Sequence, residues 1–263
     1  MTDVVGSERD GSTLILTINR PQALNALNRE TTSALTSAFE AASRDDAVGA
    51  VILTGAGRAF SAGADLKDVT ARIEAGDVDV GNDLRANYAP LTRAIRRCPK
   101  PVIAALNGTA AGAGMSLALA CDLRVAATGA QLIVAFVRVG LVPDAGSLFF
   151  LTRMLGLSKA TELAMTGDPI SAEEALRLGL VSAVVPPDQL MAVVRDRAAK
   201  LAAGPRQTIA LIKRGLERSL VLDLEQTLEL EAGLQTLAGR SEGAQEAIRA
   251  FVEKRAPVFN PQK

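Results

Sequence analysis

Residues 101–128 read "PVIAALNGTAAGAGMSLALACDLRVAAT". The opening "PVIAALNG" is an unbroken apolar run of strand length that stops at Asn107 and Gly108. A stretch of glycine, alanine and threonine follows, then the helix-like "MSLALA", and "DLRVAAT" resumes as a strand. Strand, side-chain-poor turn, helix and strand in succession point to an α/β core built from repeated strand-turn-helix units. Stripping side chains from so many consecutive positions lets backbone come close to something. The stretch leaves open what approaches it and which residue then does chemistry.

Outward from this segment the same alternation continues. "TLILTINRP" (13–21) alternates like a strand and ends at Pro21, and "RETTSALTSAFEAASRDD" (29–46) carries apolar residues at helical spacing. "GAVILTGAG" (49–57) is a short buried strand ending in glycines. "NDLRANYAPLTRAIRRCPK" (82–100) reads as a helix in which Pro90 predicts a late start or a kink. From about Gly146 the character changes. "SLFFLTRMLG", "SKATELAMTG" and "SAEEALRLGL" read as separate short helices, with Ser158 and Ser171 as N-caps. "VSAVV" is a brief strand ending at Pro186 and Pro187, and the remainder is almost wholly helical. The expected division is a core over 1–200 and a helical region over 201–263. Amphipathic helices so far from the core suit packing against a partner subunit, or else cap their own domain.

Composition removes whole classes of chemistry. The chain has 263 residues, 29 Lys+Arg against 29 Asp+Glu, and no histidine. A balanced charge gives no field for nucleic acid or an anionic membrane. Without histidine there is no Ser-His-Asp or Cys-His pair and no histidine-ligated zinc. The two cysteines, Cys98 and Cys121, lack metal or disulfide spacing and read as reduced thiols, and no metal site is expected. "MTDVVGSERDGS" has neither a basic nor an apolar signal region. The most apolar stretch, 101–121, is divided by Asn107 and glycines. The expectation is a cytoplasmic protein.

Two glycine-rich turns each follow a strand: "TGAGRAFSAGADLK" (54–67) and "NGTAAGAG" (107–114). Neither has the Gly-Lys-Ser/Thr of a P-loop, and Gly112-Ala113-Gly114 lacks the third glycine of a dinucleotide fingerprint. Two readings remain. The turns are either tight strand–helix connections or a pair of backbone N–H donors aimed at one oxygen, which needs only small side chains.

"NRPQALNAL", "GAGRAFSAGADLK", "NGTAAGAGMSLALACDLRVAA", "GLVPDAG", "ISAEEALRLGLV" and "AFVEKR" occur in the order and spacing of the enoyl-CoA hydratase/isomerase family, the crotonase superfamily. The resemblance covers nearly the whole chain. It implies a crotonase-like α/β spiral of ββα units with a helical C-terminal trimerisation region, a homotrimer or dimer of trimers, and an acyl-CoA thioester substrate. It implies no cofactor, CoA being part of the substrate. It also implies an oxyanion hole made by the backbone N–H groups of Ala64 and Ala113. Gln22, Ala23 and Leu24, with Ala62, Asp65 and Leu66, match CoA-contacting positions. Phe251 and Lys254 match residues that reach CoA, in this family often from a neighbouring subunit. An ammonium at Lys254 suits the CoA phosphates.

The reaction turns on three positions. The family's hydratases use two glutamates, and their positions are Ser116 and Phe136 here. A hydroxyl without a basic partner is no base, and a phenyl ring cannot hold water. Asp144, in "GLVPDAG", matches the acidic position of the isomerase branches, and "AFVRVGLVPDAG" resembles most the ring-1,2-epoxyphenylacetyl-CoA isomerases. This implies an isomerase with Asp144 as acid and base. The alternatives are an unconventional enoyl-CoA hydratase of fatty-acid or phenylacetate degradation and a silent acyl-CoA-binding trimer. Read locally, Asp144 could instead be the N-cap of the helix that follows. Asp68, Glu74, Asp77, Asp79 and Asp83 read as a solvated acidic face. Asp122 reads as structural, and Tyr88 as a core or pocket-wall residue.

Overall fold

The computed structural model describes residues 3–76 and 79–259, so Asp77 lies outside the described residues. The chain opens with β1 (Val5–Asp10), β2 (Thr13–Ile18) and α1 (Arg29–Arg44). Two strands and a helix then recur. The next unit is β3 (Ala50–Gly55), β4 (Ala59–Ser61) and α2 (Leu66–Glu74). After α3 (Val80–Asp83), a π turn at Leu84–Tyr88 and α4 (Ala89–Arg97), the unit repeats as β5 (Val102–Leu106), β6 (Thr109–Ala111) and α5 (Ala113–Ala120). It repeats again as β7 (Leu123–Ala127), β8 (Gln131–Ile133) and, past a 3-10 turn at Ala135–Val139, α6 (Ser147–Thr166). The chain ends with β9 (Pro169–Ser171), α7 (Ala172–Arg177), β10 (Ala183–Val185), α8 (Leu190–Ala203), α9 (Arg206–Ser219), α10 (Leu224–Gly239) and α11 (Glu242–Val252).

The first unit gives both its strands to one sheet, and each of the next three gives its first strand to that sheet and its second to another. The six-stranded sheet runs β1-β2-β3-β5-β7-β10 and the four-stranded sheet β4-β6-β8-β9. β1–β2 and β8–β9 pair antiparallel and the other neighbours parallel. This is the expected α/β spiral of ββα units.

The large sheet is buried on both faces. Leu16, Ile18, Val51, Leu53, Val102 and Ala104 join one core with α1, α4 and α5. Ile15, Ile52, Ile103 and Val125 point the other way, onto Leu190, Val194 and Ala198 of α8. Parallel strands covered on both sides need no polar face, which is why they read as unbroken apolar runs.

Of three local expectations, two hold in the structure and one changes. The kink at Pro90 takes the form of the π turn at Leu84–Tyr88, which loosens the backbone just before a residue with no N–H to donate. "SLFFLTRMLG" and "SKATELAMTG" abut across Gly156 (φ 72) as one kinked helix, so Ser158 lies inside α6 and caps nothing. Ser171 does cap α7, accepting from the Glu174 amide at 3.1 Å.

The C-terminal helices meet the core through charge. Lys213 of α9 donates to Asp122 at 2.7 Å and to Ile95 O at 3.2 Å, and Asp122 also accepts the Val102 amide at 2.9 Å. Asp122 is therefore structural, as expected. Neither α9 nor α10 has a buried residue, and Ile212, Leu216, Leu224 and Leu228 are exposed.

Candidate active site

The two glycine turns pack directly on each other. A Cβ placed on Gly63 would stand 2.7 Å from Ala111 O and 3.3 Å from the Ala113 amide. One on Gly114 would stand 2.5 Å from Ser61 O, and one on Gly108 2.1 Å from Arg58 O. What approaches the stripped stretch is thus the neighbouring turn. That approach brings Ala64 and Ala113 together.

The Ala64 turn is pinned from below. Leu27 donates its amide to Gly63 O at 2.7 Å and accepts the Asp65 amide at 2.9 Å, a parallel bridge across from Ala64. In such a bridge the Ala64 N–H points away from Leu27. Ser61 Oγ donates to Asn25 O at 2.8 Å and accepts the Gly63 amide at 3.2 Å. Asn25 is left-handed (φ 58), and its side chain donates to Ala56 O and Ala59 O at 2.8 and 2.7 Å. Asparagine suits this place because it tolerates the left-handed region and satisfies backbone acceptors.

Ala113 opens α5, whose N-cap Gly112 (φ 50) contributes no side chain. Among the described residues, the Ala64 and Ala113 amides have no acceptor. They are free donors, and Ala113 adds the positive end of a helix.

The matched CoA positions fall beside these turns. Gln22 and Ala23 lie in the 3-10 turn Pro21–Ala23, and Leu24 (φ 50) accepts the Ala62 amide at 2.9 Å. Leu24 and Ala62 share a cavity of about 220 Å³ with Arg58 and Ala111. Asp65 caps α2 and pairs with Arg20 at 2.8 Å. Burial alone would raise its pKa, but the Arg20 guanidinium leaves it lowered. Leu66, the first residue of α2, is half exposed. Phe251 and Lys254 are not brought to this group within the chain. They are exposed at the end of α11, which packs on α9 and α10.

Asp144 is not a helix cap. The N-cap of α6 is Gly146 (φ 92), with no side-chain cap bond, and Ala145 before it is also left-handed (φ 49). Thr92 Oγ donates to Ala145 O at 3.0 Å and holds this turn. Asp144 Oδ1 is buried with no hydrogen-bond partner. Burial, and secondarily the charge of Asp83, push its pKa up to about 7. A buried, unpaired carboxyl is costly to stability, and such groups concentrate where chemistry needs them.

The two hydratase-glutamate positions offer no acid. Ser116 is fully buried, with its Oγ 2.6 Å from Ser147 Oγ and donating to Gly112 O at 3.2 Å. Phe136 is buried in the core cluster.

Sequence reasoning missed Asn25, Ser61 and Asp83. Asp83 is not on a solvated face. It is 8% exposed and is held by Arg72 at 2.8 Å, Arg29 at 3.0 Å and Asn87 at 2.7 Å. No local pattern separates it from its acidic neighbours, because its burial is tertiary.

Two turns bring free amides together, and Asp144 Oδ1 is buried without a hydrogen-bond partner. Free donors and an unpaired acid are the kinds of group that carbonyl polarisation and proton transfer use. The family model described as enoyl-CoA hydratase/isomerase matches residues 8–262. A probable enoyl-CoA hydratase from Rhodobacter capsulatus is 43% identical over 93% of this chain and 93% of its own. A 1,2-epoxyphenylacetyl-CoA isomerase from Escherichia coli is 38% identical over 98% of this chain and 99% of its own. The crystal structure of a putative enoyl-CoA hydratase/isomerase from Mycobacterium abscessus superposes with a TM-score of 0.93 at 34% identity, covering 98% of this chain and 100% of that one. The chain belongs to the enoyl-CoA hydratase/isomerase family, the crotonase superfamily. Among the described residues no helix is long and apolar enough to cross a membrane.

Proposed function

We propose that the chain is an acyl-CoA isomerase in which Asp144 moves a proton between two carbons of the substrate. The ionised carboxyl removes a proton alpha to the thioester carbonyl. The C–H electron pair becomes part of a dienolate, and the negative charge settles on the thioester oxygen. The Ala64 and Ala113 amides stabilise that oxygen. The proton then returns to another carbon, so atoms and charge balance without a cofactor.

The observation that carries this reading is the buried, unpartnered Oδ1 of Asp144. A carboxyl with a pKa of about 7 is poised both to take and to return a proton near neutral pH. The absence of an acid at positions 116 and 136 argues against the paired-glutamate route to hydration. Gln22, Ala23, Leu24, Ala62, Asp65 and Leu66 line the CoA side. Phe251 and Lys254 act on CoA from a neighbouring subunit, with residues 201–263 as the trimer-forming region. The exposed apolar face of α9 and α10 supports that assignment.

The test is deuterium incorporation from solvent into a panel of small acyl-CoA thioesters, comparing wild type with Asp144→Asn. Wild type incorporates deuterium at the alpha carbon and the variant does not. Exchange by the variant at the wild-type rate removes Asp144 as the base. A second reading, hydration, is favoured by the name of the Rhodobacter relative. Loss of enoyl absorbance from a trans-2-enoyl-CoA, with water added, would select it.

A further inference from the structure

Tyr88 is the chain's single tyrosine. It closes the π turn, is 7% exposed, and donates its hydroxyl to Leu27 O at 3.1 Å. That oxygen also accepts the Asp65 amide, while the Leu27 amide donates to Gly63 O. Ala64 is therefore bracketed by two backbone bonds to one residue, and a phenol bonds the same carbonyl oxygen that accepts the Asp65 amide.

The turn that carries Tyr88 is itself anchored. Asp83, directly before it, binds Arg72 on α2 and Arg29 at the head of α1. α2 starts at the residue after Asp65, so both flanks of Ala64 are tied to the same π turn: Leu27 through Tyr88, and α2 through Asp83. Turns of this kind recur at functional sites. Tyr88 also lies within electrostatic reach of Asp144. Burial first, and the Asp144 charge second, raise its phenol well above the ordinary value. One buried side chain thus feels the charge of Asp144 and bonds the residue that supports the Ala64 turn.

We propose that Tyr88 is a positioning residue for the Ala64 amide, its hydroxyl acting through Leu27 O to aim that N–H at the thioester oxygen. The inference rests on the reading of Ala64 and Ala113 as the oxyanion donors. Oxyanion stabilisation depends on donor placement within tenths of an ångström, so a small drift of Leu27 is enough to weaken it. The competing role is a core ring whose hydroxyl merely finds a partner, and the two roles separate in a measurement on bound thioester.

Tyr88→Phe keeps the ring and removes the donor. Infrared difference spectra would be taken of a carbon-13-labelled thioester carbonyl bound to wild type, Asp144→Asn and Tyr88→Phe. The expected result is an equally lowered carbonyl frequency in wild type and Asp144→Asn, and a frequency displaced toward that of the free thioester in Tyr88→Phe. With it, kcat falls about tenfold or more while KM stays within about twofold, since the CoA contacts are untouched. A carbonyl frequency in Tyr88→Phe equal to that of wild type overturns the proposal, whatever happens to stability. No lowering in wild type defeats the oxyanion reading itself, a distinguishable failure. If Tyr88→Phe does not fold, biosynthetic 3-fluorotyrosine labels this residue alone and strengthens its O–H donor. A further lowering of the frequency is then expected, and a frequency unchanged from the unlabelled protein counts against the proposal.

Discussion

Replacing Asp144 with asparagine removes a charge and keeps the shape, and the structure fixes how its effect on stability must vary with pH. The folded-state pKa is raised from 3.8 to about 7, by burial first and Asp83 second. Between those values the folded chain holds a proton that the unfolded chain has lost, so wild-type stability falls as pH rises through the window. Below the window both states are protonated and above it both are ionised, so the slope vanishes. From about pH 5 to about pH 7 the loss is at most about 3 kcal/mol, and partial access of water to the carboxyl reduces it to about 1–2 kcal/mol. Asparagine carries no such penalty at any pH, and any cost of burying its amide is constant. The stability of Asp144→Asn relative to wild type should therefore rise by about 1–2 kcal/mol between about pH 5 and about pH 8. For a chain of this size that is a relative Tm gain of about 3–6 °C. Thermal unfolding at fixed protein concentration measures it. Turnover of the same variant should fall by about a hundredfold or more. Parallel pH profiles for the two proteins would refute the reasoning, because Asp144 would then titrate as an ordinary surface carboxyl.

Other substitutions probe the rest of the account. Gly114→Ala forces a Cβ to within 2.5 Å of Ser61 O and should cost about 1–3 kcal/mol in chemical denaturation, with activity lost as the two turns separate. Ser116→Ala leaves Ser147 Oγ without its serine partner and should cost about 1 kcal/mol, while turnover under saturating substrate stays near wild type. Lys213→Met strands part of the Asp122 charge and loosens α9 from the core, a loss of about 2–4 kcal/mol read from the denaturation midpoint. Leu216→Glu puts a charge on a face that is 67% exposed in the single chain. If that face forms the trimer, sedimentation of the variant will show a smaller species than wild type.

Much of the fold is readable from the chain because the parallel strands are buried on both faces and punctuated by glycine turns. "PVIAALNG" and "GAVILTGAG" announce β5 and β3 by apolar continuity alone. The sense of the glycines is less accessible. Gly63, Gly108 and Gly114 are small because another backbone crosses them, a long-range fact that local pattern cannot carry. The same limit explains Asp83, whose arginine partners come from α1 and α2. Asp144 was visible as an acid, yet its local context, Pro143 before and a helix after, looks like a cap. Only the left-handed pair Ala145 and Gly146 shifts the cap by two residues and frees the side chain.

The most direct measurement is a crystal structure with an unreactive acyl-CoA thioester bound. The account predicts the thioester oxygen about 3 Å from both the Ala64 and Ala113 nitrogens, with the alpha carbon facing the Asp144 carboxyl. A thioester oxygen out of reach of either nitrogen, or an Asp144 side chain turned into solvent beside bound CoA, would contradict it.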